Sequence, residues 1–258
     1  SVESLRADFN FAMGEVLWKL ELVQGTLTDI LQEVRLAEFE REARSLRERA
    51  EDAYKNGWYK ESLSDFLEVE KLNYQDFAVL FSIANIYFYH STECEDDYKE
   101  PSMEKALAYY LKSAKYSAPK SKKHAAKSYL FSGWICYLLE KDKEALDYTS
   151  KAIELNPDLA EACFQKAKIL MCLNAPDKAL MPLRKAIEIS RDYSIKAIMD
   201  PDFKNYDTEV QRLLDEMRTE AQKVAQEALA DAEDQIKNIT KIDMGGEYSC
   251  RRYKFQDY

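Results

Sequence analysis

The chain has 258 residues, 46% hydrophobic and 33% charged, which is enough to bury one large core or two small ones. Its formal net charge of −10, from 37 basic and 47 acidic residues, argues against binding to duplex nucleic acid, which needs a basic surface. Only six Gly and six Pro are present, which favours long helices over a fold with many tight turns.

The cysteines are odd in number, irregularly spaced and without a CxxC pair, which predicts reduced thiols and a cytoplasmic location. No apolar run reaches the length of a membrane span, and the first residues lack a basic-then-apolar signal pattern. Because the sequence does not begin with Met, we expect a fragment or a trimmed chain. The five cysteines are Cys94, Cys136, Cys163, Cys172 and Cys250.

Residues 1–42, here called the arm, carry apolar side chains in alternating steps of four and three, which is the heptad pattern of a coiled coil. The arm could cap its own domain, or it could pair with a second copy of the chain. We favour self-association because the stripe is long and separate from the segments that follow. The stripe consists of Phe9, Met13, Val16, Leu20, Val23, Leu27, Ile30 and Val34.

Small residues recur 34 positions apart in the middle of the chain, which indicates an internal repeat. Ala or Gly at a helix crossing lets two antiparallel helices approach closely, because a larger side chain would hold them apart. Between two such helices, Pro157 predicts a helix end and Asp158 is expected to cap the next helix. The matched pairs are Ala50 and Ala84, Gly133 and Ala167, Ala145 and Ala179, and Ala152 and Ala186.

This 34-residue helix-turn-helix unit resembles the tetratricopeptide repeat (TPR) family, and the resemblance covers somewhat over half of the chain. It implies an all-α solenoid of about four stacked hairpins. The departures are Ser62 and Ser113 in place of Ala, Thr149 in place of an aromatic residue, and about ten residues inserted in the second unit. The predicted units are 43–76, 77–121, 126–159 and 160–193, which together form a TPR array over 43–193.

The segment 194–243 is predicted to close the array. Its "DPDF" at 200–203 resembles the segment that follows many TPR arrays, in which the Phe covers the apolar end of the stack. A long helix is then expected at about 207–241, either packed back on the array or paired with the arm. The final residues, 244–258, form a basic and aromatic tail typical of a solvated end.

No nucleophile elbow, P-loop, dinucleotide fingerprint or HExxH motif is present, so the chain is not expected to be an enzyme or to hold a cofactor. His90 and Cys94 have helical i, i+4 spacing. Two possible N/S ligands are too few for a structural zinc site, so no metal is predicted.

In the TPR family the first helix of each unit lines a concave groove that holds partner peptides, and the resemblance places aromatic side chains on that face. A clamp for a terminal carboxylate is not expected: Asn85 and Lys127 match it and Arg47 could substitute, but its other positions do not match. Alternatively, the rings could be buried between helices or covered by a flanking helix. The predicted groove residues are Phe81, Asn85, Phe88, Lys127, Phe131, Trp134, Phe164 and Lys168.

The sequence therefore predicts a non-catalytic scaffold that holds a peptide or helix of a partner protein in the groove and self-associates through its flanking helices. The alternative is a structural module whose groove is filled by its own flanking helix or by a neighbour's tail. Neither reading includes nucleic acid or a membrane span.

Overall fold

A computed structural model describes the backbone of residues 2–90 and 99–245, and the side chains of residues 23, 24, 26–28, 30–90 and 102–237. Within these ranges the chain forms ten α-helices and one short 3-10 helix. In chain order they are α1 (Val2–Lys55), α2 (Tyr59–Leu72), α3 (Phe77–Tyr89), α4 (Lys99–Ser117), α5 (Lys122–Leu138), α6 (Asp142–Leu155), α7 (Ala160–Cys172), α8 (Pro176–Ile189), α9 (Asp192–Met199), the 3-10 helix (Pro201–Tyr206) and α10 (Asp207–Gly245).

The helices pair in sequence as four hairpins, α1 with α2, α3 with α4, α5 with α6, and α7 with α8. Successive hairpins stack, because α2 contacts α3, α4 contacts α5 and α6 contacts α7. No strand occurs in the part of the chain that the structure describes. The predicted all-α solenoid of about four helical hairpins is therefore confirmed.

The small residues of the 34-residue repeat lie at the points where the helices of a hairpin cross. Each is buried, so the close approach of the two helices leaves no room for solvent at these positions. A Cβ atom added at Gly133 on α5 would overlap the Thr149 hydroxyl of α6 and lie 3.2 Å from the Ala145 carbonyl oxygen. The alanines at these family positions that have no exposed surface are Ala50, Ala84, Ala106, Ala145, Ala152, Ala167, Ala179 and Ala186.

The hydroxyl residues that depart from the repeat pattern are also fully buried, and each donates a hydrogen bond to a backbone carbonyl. Ser62 donates to Ala50 across the first hairpin at 2.8 Å, and Ser113 donates to Phe77 across the second at 2.8 Å. Thr149 donates within its own helix to Ala145 at 2.7 Å. Because these hydroxyls are satisfied, the departures fit the crossings without leaving a buried polar group unpaired.

Side-chain caps at the helix N-termini differ from the one predicted. Asp158 does not cap α7, so that prediction was wrong: the N-cap residue is Leu159, and no side chain accepts a hydrogen bond there. Side-chain caps do occur at Asp76 before α3 and at Ser121 before α5. Between α1 and α2, Gly57 has φ +79°, a left-handed conformation that glycine adopts without steric cost.

The arm is not separated from the first repeat by a loop. It forms one continuous helix, α1, with the segment that pairs with α2. The stripe residues whose side chains are described project into solvent, and each is at least half exposed, so these residues do not pack against the repeats. These residues are Val23, Leu27, Ile30 and Val34, with Leu31 beside them.

The segment after α8 folds back over the end of the stack. Phe203 of the 3-10 helix is only 2% exposed and lies 5.4 Å from the ring of Phe164 on α7. The first turns of α10 pack on α8 through Val210 and Leu213, and Arg184 of α8 forms a 2.8 Å ion pair with Glu220. From residue 218 to residue 237, every residue of α10 is exposed.

Candidate functional site

A cavity of about 390 Å³ lies on one face of the solenoid. Every helix that lines it is the first helix of a hairpin (α3, α5 or α7) or the short α9 that follows them, and one further residue comes from the closing segment. The second helices contribute nothing to its wall, so the cavity belongs to the inner face of the stack. The lining residues are Tyr89, Lys127, Leu130, Phe131, Trp134, Tyr137, Glu161, Phe164, Gln165, Lys168, Tyr193, Lys196 and Asp200.

The structure brings five of the eight predicted groove residues together in this cavity. The other three do not line it. Phe81 and Phe88 are partly buried in the core of the first two hairpins, and Asn85 lies between them on α3. The five that line the cavity are Lys127, Phe131, Trp134, Phe164 and Lys168.

Aromatic rings form one wall of the cavity. Phe131 and Trp134 on α5 are nearly parallel, with ring centroids 6.5 Å apart, and Trp134 is 46% exposed. Phe88 lies behind them, with its ring centroid 6.5 Å from each. Phe88 therefore contacts both the partly buried Phe131 and the exposed Trp134. The alternative of fully buried rings holds for Phe164, which is 9% exposed, and not for Trp134.

The polar residues near the first two hairpins are paired within the chain. The Tyr110 hydroxyl donates a hydrogen bond to Asn85 Oδ1 at 2.6 Å. Arg47 forms ion pairs with Glu51 and with Asp76, both at 2.9 Å. These contacts engage Asn85 and Arg47, and neither residue lines the cavity with Lys127.

Lys168 is held by the closing segment. Its Nζ lies 2.8 Å from Asp200 Oδ2 and 3.0 Å from Asp202 Oδ2, and the Tyr137 hydroxyl donates to Asp202 at 2.6 Å. Burial alone would raise the pKa of Asp202, but the hydrogen bonds from Tyr137 and Lys168 outweigh it and lower that pKa. Burial opposes the charge on Lys168 too, yet the two carboxylates raise its pKa. Lys168 therefore anchors the closing segment as an ion pair at neutral pH.

Gln165 contributes an unusual polar group to the cavity wall. The residue is 8% exposed, and neither its Oε1 nor its Nε2 makes a hydrogen bond within the part of the chain that the structure describes. Both of these polar atoms are themselves buried, so the carboxamide lies within the cavity wall without a hydrogen-bond partner among the described residues.

Several cavity residues are absent from the predicted groove set. Tyr137 follows Trp134 by three residues, so helical periodicity alone places it on the same face. Tyr193 and Lys196 come from α9, which begins at the end of the last predicted repeat, and the Lys196 amine lies 4.2 Å from the centroid of the Tyr193 ring. The repeat spacing gave no signal for α9, which adds one more helix to the stack after the fourth hairpin.

The described parts of the flanking helices do not fill the cavity, since its lining includes no residue of α1 or α10. The predicted tail from residue 246 onward lies outside the described residues, as does Cys94.

His90 stacks on Tyr59 with ring centroids 3.5 Å apart. Among the described side chains, no group of three or more His, Cys, Asp or Glu is arranged to hold a metal. No described helix is both long and apolar enough to cross a membrane.

Comparison with solved structures identifies the architecture. A crystal structure of MamA has a TM-score of 0.54 at 15% identity, over 72% of this chain and 96% of that one. YrrB, described as a TPR protein with an unusual peptide-binding site, has a TM-score of 0.51 at 18% identity, over 70% of this chain and 87% of that one. A TPR protein from Parabacteroides merdae ATCC 43184 has a TM-score of 0.52 at 16% identity, over 69% and 68%.

At this level of identity the likeness establishes the fold. The chain is a tetratricopeptide-repeat protein by fold, as the spacing of its small residues predicted. No protein-family profile matches the sequence, and no curated protein matches it.

Proposed function

We propose that the chain is a non-catalytic scaffold that holds a peptide segment of a partner protein in the inner-face cavity. The observation that carries the proposal is the aromatic wall of the exposed Trp134 and the partly buried Phe131, beside a cavity built from the first helices of the hairpins. Large aromatic side chains supply much of the binding energy at protein interfaces, because they bury a large area with little loss of rotamer freedom.

The volume and shape of the cavity support a peptide ligand. About 390 Å³ lies within the range of small-ligand sites, and the cavity runs across α3, α5, α7 and α9, the alternate helices of the stack, as a groove would. YrrB, which shares the fold, is described as having a peptide-binding site, so this architecture can hold a peptide.

Replacing Trp134 with Ala is expected to weaken peptide binding about 30-fold, which corresponds to about 2 kcal/mol for an aromatic hot spot. Peptides would be selected against the full chain from a displayed library of random linear sequences, and their affinities measured by fluorescence anisotropy. Trp58→Ala is the matched control, because Trp58 is 61% exposed and lies outside the cavity. Equal binding to wild type and Trp134→Ala, or a library without binders, would contradict the proposed function.

We also propose that the arm pairs with a second copy of the chain. Its described stripe residues are at least half exposed and repeat with heptad spacing along one continuous helix. A stripe of this kind is unfavourable in water, and two such helices remove it from solvent by packing knobs into holes.

The double substitution Leu27→Asp with Val34→Asp is expected to convert a dimer into a monomer, because charges at heptad core positions cannot be buried unpaired. Thr28→Asp with Gln32→Asp adds the same charge outside the stripe and should leave the dimer intact. Sedimentation equilibrium of the three full-length chains over a dilution series measures the mass. A monomeric wild-type chain throughout the series would exclude pairing through the arm.

A further inference from the structure

A second groove, here called the outer groove, shares no lining residue with the inner-face cavity. Its volume is about 610 Å³, and its walls are α6 and α8, the second helices of the last two hairpins. The buried Cys163 and Leu170 of α7 form its base, whereas Met181 on the α8 wall is 72% exposed. Most of the lining is therefore apolar. The apolar lining residues are Leu146, Ile153, Cys163, Leu170, Met181 and Pro182.

The outer groove is positively charged. Three lysines line it, Lys166, Lys178 and Lys185, and no carboxylate is among its lining residues. None of the three lysines forms an ion pair within the described part of the chain. Since the whole chain has a formal net charge of −10, the charge of this groove is opposite to that of the molecule.

Other junctions between neighbouring outer helices are bridged by ion pairs. Glu70 of α2 lies 2.9 Å from Lys112 of α4, and Arg184 of α8 lies 2.8 Å from Glu220 of α10. The lysines between α6 and α8 have no such partner in the described chain. Carboxylates from another molecule would therefore fill the place that the chain's own carboxylates fill at these two junctions.

The lining favours a helix over an extended peptide. A buried extended segment needs partners for its main-chain N–H and C=O groups, and Ser150 is the only lining residue with a hydroxyl or amide side chain. A helix satisfies these groups internally and can present one apolar face to a groove. The lining residues of α8 run from Lys178 to Lys185, which is about 10 Å or two helical turns.

We propose that the outer groove binds an amphipathic helix of a partner protein whose apolar face is flanked by acidic residues. The apolar face packs between Ile153 on α6 and Met181 on α8. Lys178 and Lys185 are seven residues apart on α8, so carboxylates two turns apart on the partner helix match both. This interface is separate from the inner-face cavity and does not depend on the function proposed for it.

A displayed library of helices about 18 residues long tests the class of partner. All members share one seam of leucine and alanine, and the flanking positions are randomised among Glu, Gln and Lys. Selection on the full chain at low salt is expected to enrich Glu at positions two turns apart. Helices that bind Trp134→Ala as well as wild type are kept, because they bind outside the inner-face cavity. Enrichment of Gln or Lys, or no such helix, would overturn the proposal.

Charge reversal locates the binding surface. Lys178→Glu with Lys185→Glu is expected to weaken binding of a selected helix about 20-fold, measured by fluorescence anisotropy. The same helix with its two matched Glu residues changed to Lys should then prefer the reversed chain over wild type. Lys122→Glu with Lys123→Glu is the matched control, because both lysines are exposed on α5 outside the groove. Equal binding to the wild-type and groove-reversed chains would contradict docking in the outer groove.

The apolar contact is tested by Met181→Asp, which is expected to weaken binding about tenfold. Met199→Asp is the control, since Met199 is 77% exposed and does not line the groove. If both variants bind equally, the helix does not pack on the α8 wall.

A second copy of the chain is the alternative occupant, through the exposed stretch 218–237 of its α10. This stretch matches the groove less well, because Arg218, Lys223 and Lys237 interrupt its carboxylates. A synthetic peptide of residues 218–237 is measured alongside the selected helices and is expected to bind at least about tenfold more weakly. Equal affinity would assign the groove to a second copy and overturn the proposal of a partner protein.

Discussion

Phe203→Ala is expected to lower the free energy of unfolding by about 3–5 kcal/mol. The ring is 2% exposed and belongs to the core cluster that joins α7 and α8 with the first turns of α10. Its removal leaves a cavity where the closing segment covers the last hairpin. The apolar end of the stack then becomes accessible to water, and an exposed end is unfavourable for any repeat array.

This loss should be localised, because each hairpin of a solenoid contacts mainly its neighbours. Urea denaturation followed by circular dichroism gives the free energy, and hydrogen exchange gives the location. Amides of α7, α8 and α9 should lose protection in Phe203→Ala, whereas those of α3 and α4 should keep it. Met199→Ala is the control, since Met199 is 77% exposed next to the same segment. A change below 1 kcal/mol, or an even loss of protection, would show that Phe203 does not close the stack.

Gly133→Ala is expected to destabilise the chain by about 1–3 kcal/mol, even though alanine favours helix by about 1 kcal/mol over glycine. The added methyl group would overlap the Thr149 hydroxyl, and the carbonyl oxygen of Ala145 lies 3.2 Å from its position. The hydroxyl has little freedom to move away, because it is fully buried and donates to Ala145 at 2.7 Å. The two helices must therefore separate.

The identity of the clashing atom can be checked with a double-mutant cycle measured by thermal and urea denaturation. Thr149→Ala removes the hydroxyl but keeps the helix, so the pair Gly133→Ala with Thr149→Ala should be more stable than Gly133→Ala alone. If the two single effects simply add, the overlap at this crossing is not the cause of the destabilisation.

The fold could be predicted because its determinants are local and periodic. Alanine and glycine at a spacing of 34 residues mark the helix crossings directly, and all of those described are buried where the helices meet. The "DPDF" segment likewise places an aromatic ring one helix after the last repeat, and Phe203 lies in the core there. The burial of a residue that packs within its own repeat unit can therefore be predicted from its position in that unit.

The polar residues predicted for the site were harder to place, because several of them pair with residues distant in sequence. Lys168 had the position of a groove cation, but the closing segment brings Asp200 and Asp202 to its amine. Asn85 likewise accepts a hydrogen bond from Tyr110, 25 residues away. The repeat pattern predicts the face of the helix on which a side chain lies. It does not predict which residue forms a hydrogen bond or an ion pair with that side chain.

The unpaired state of Gln165 could not be predicted either. Its position on the inner face follows from the repeat, but hydrogen bonds to it depend on the side chains that α5, α7 and α9 present around it. Only the coordinates show that none of the described neighbours reaches its carboxamide.

The unbroken course of α1 has a mechanical consequence. A helix of 54 residues is a rod about 80 Å long, and its C-terminal end is built into the first hairpin. Because no loop interrupts the helix between its ends, any body attached to the far end of this rod has a defined direction relative to the inner-face cavity. Two chains joined along such rods would hold their cavities at a set distance, so a ligand with two copies of the recognised segment would be selected by the gap between them.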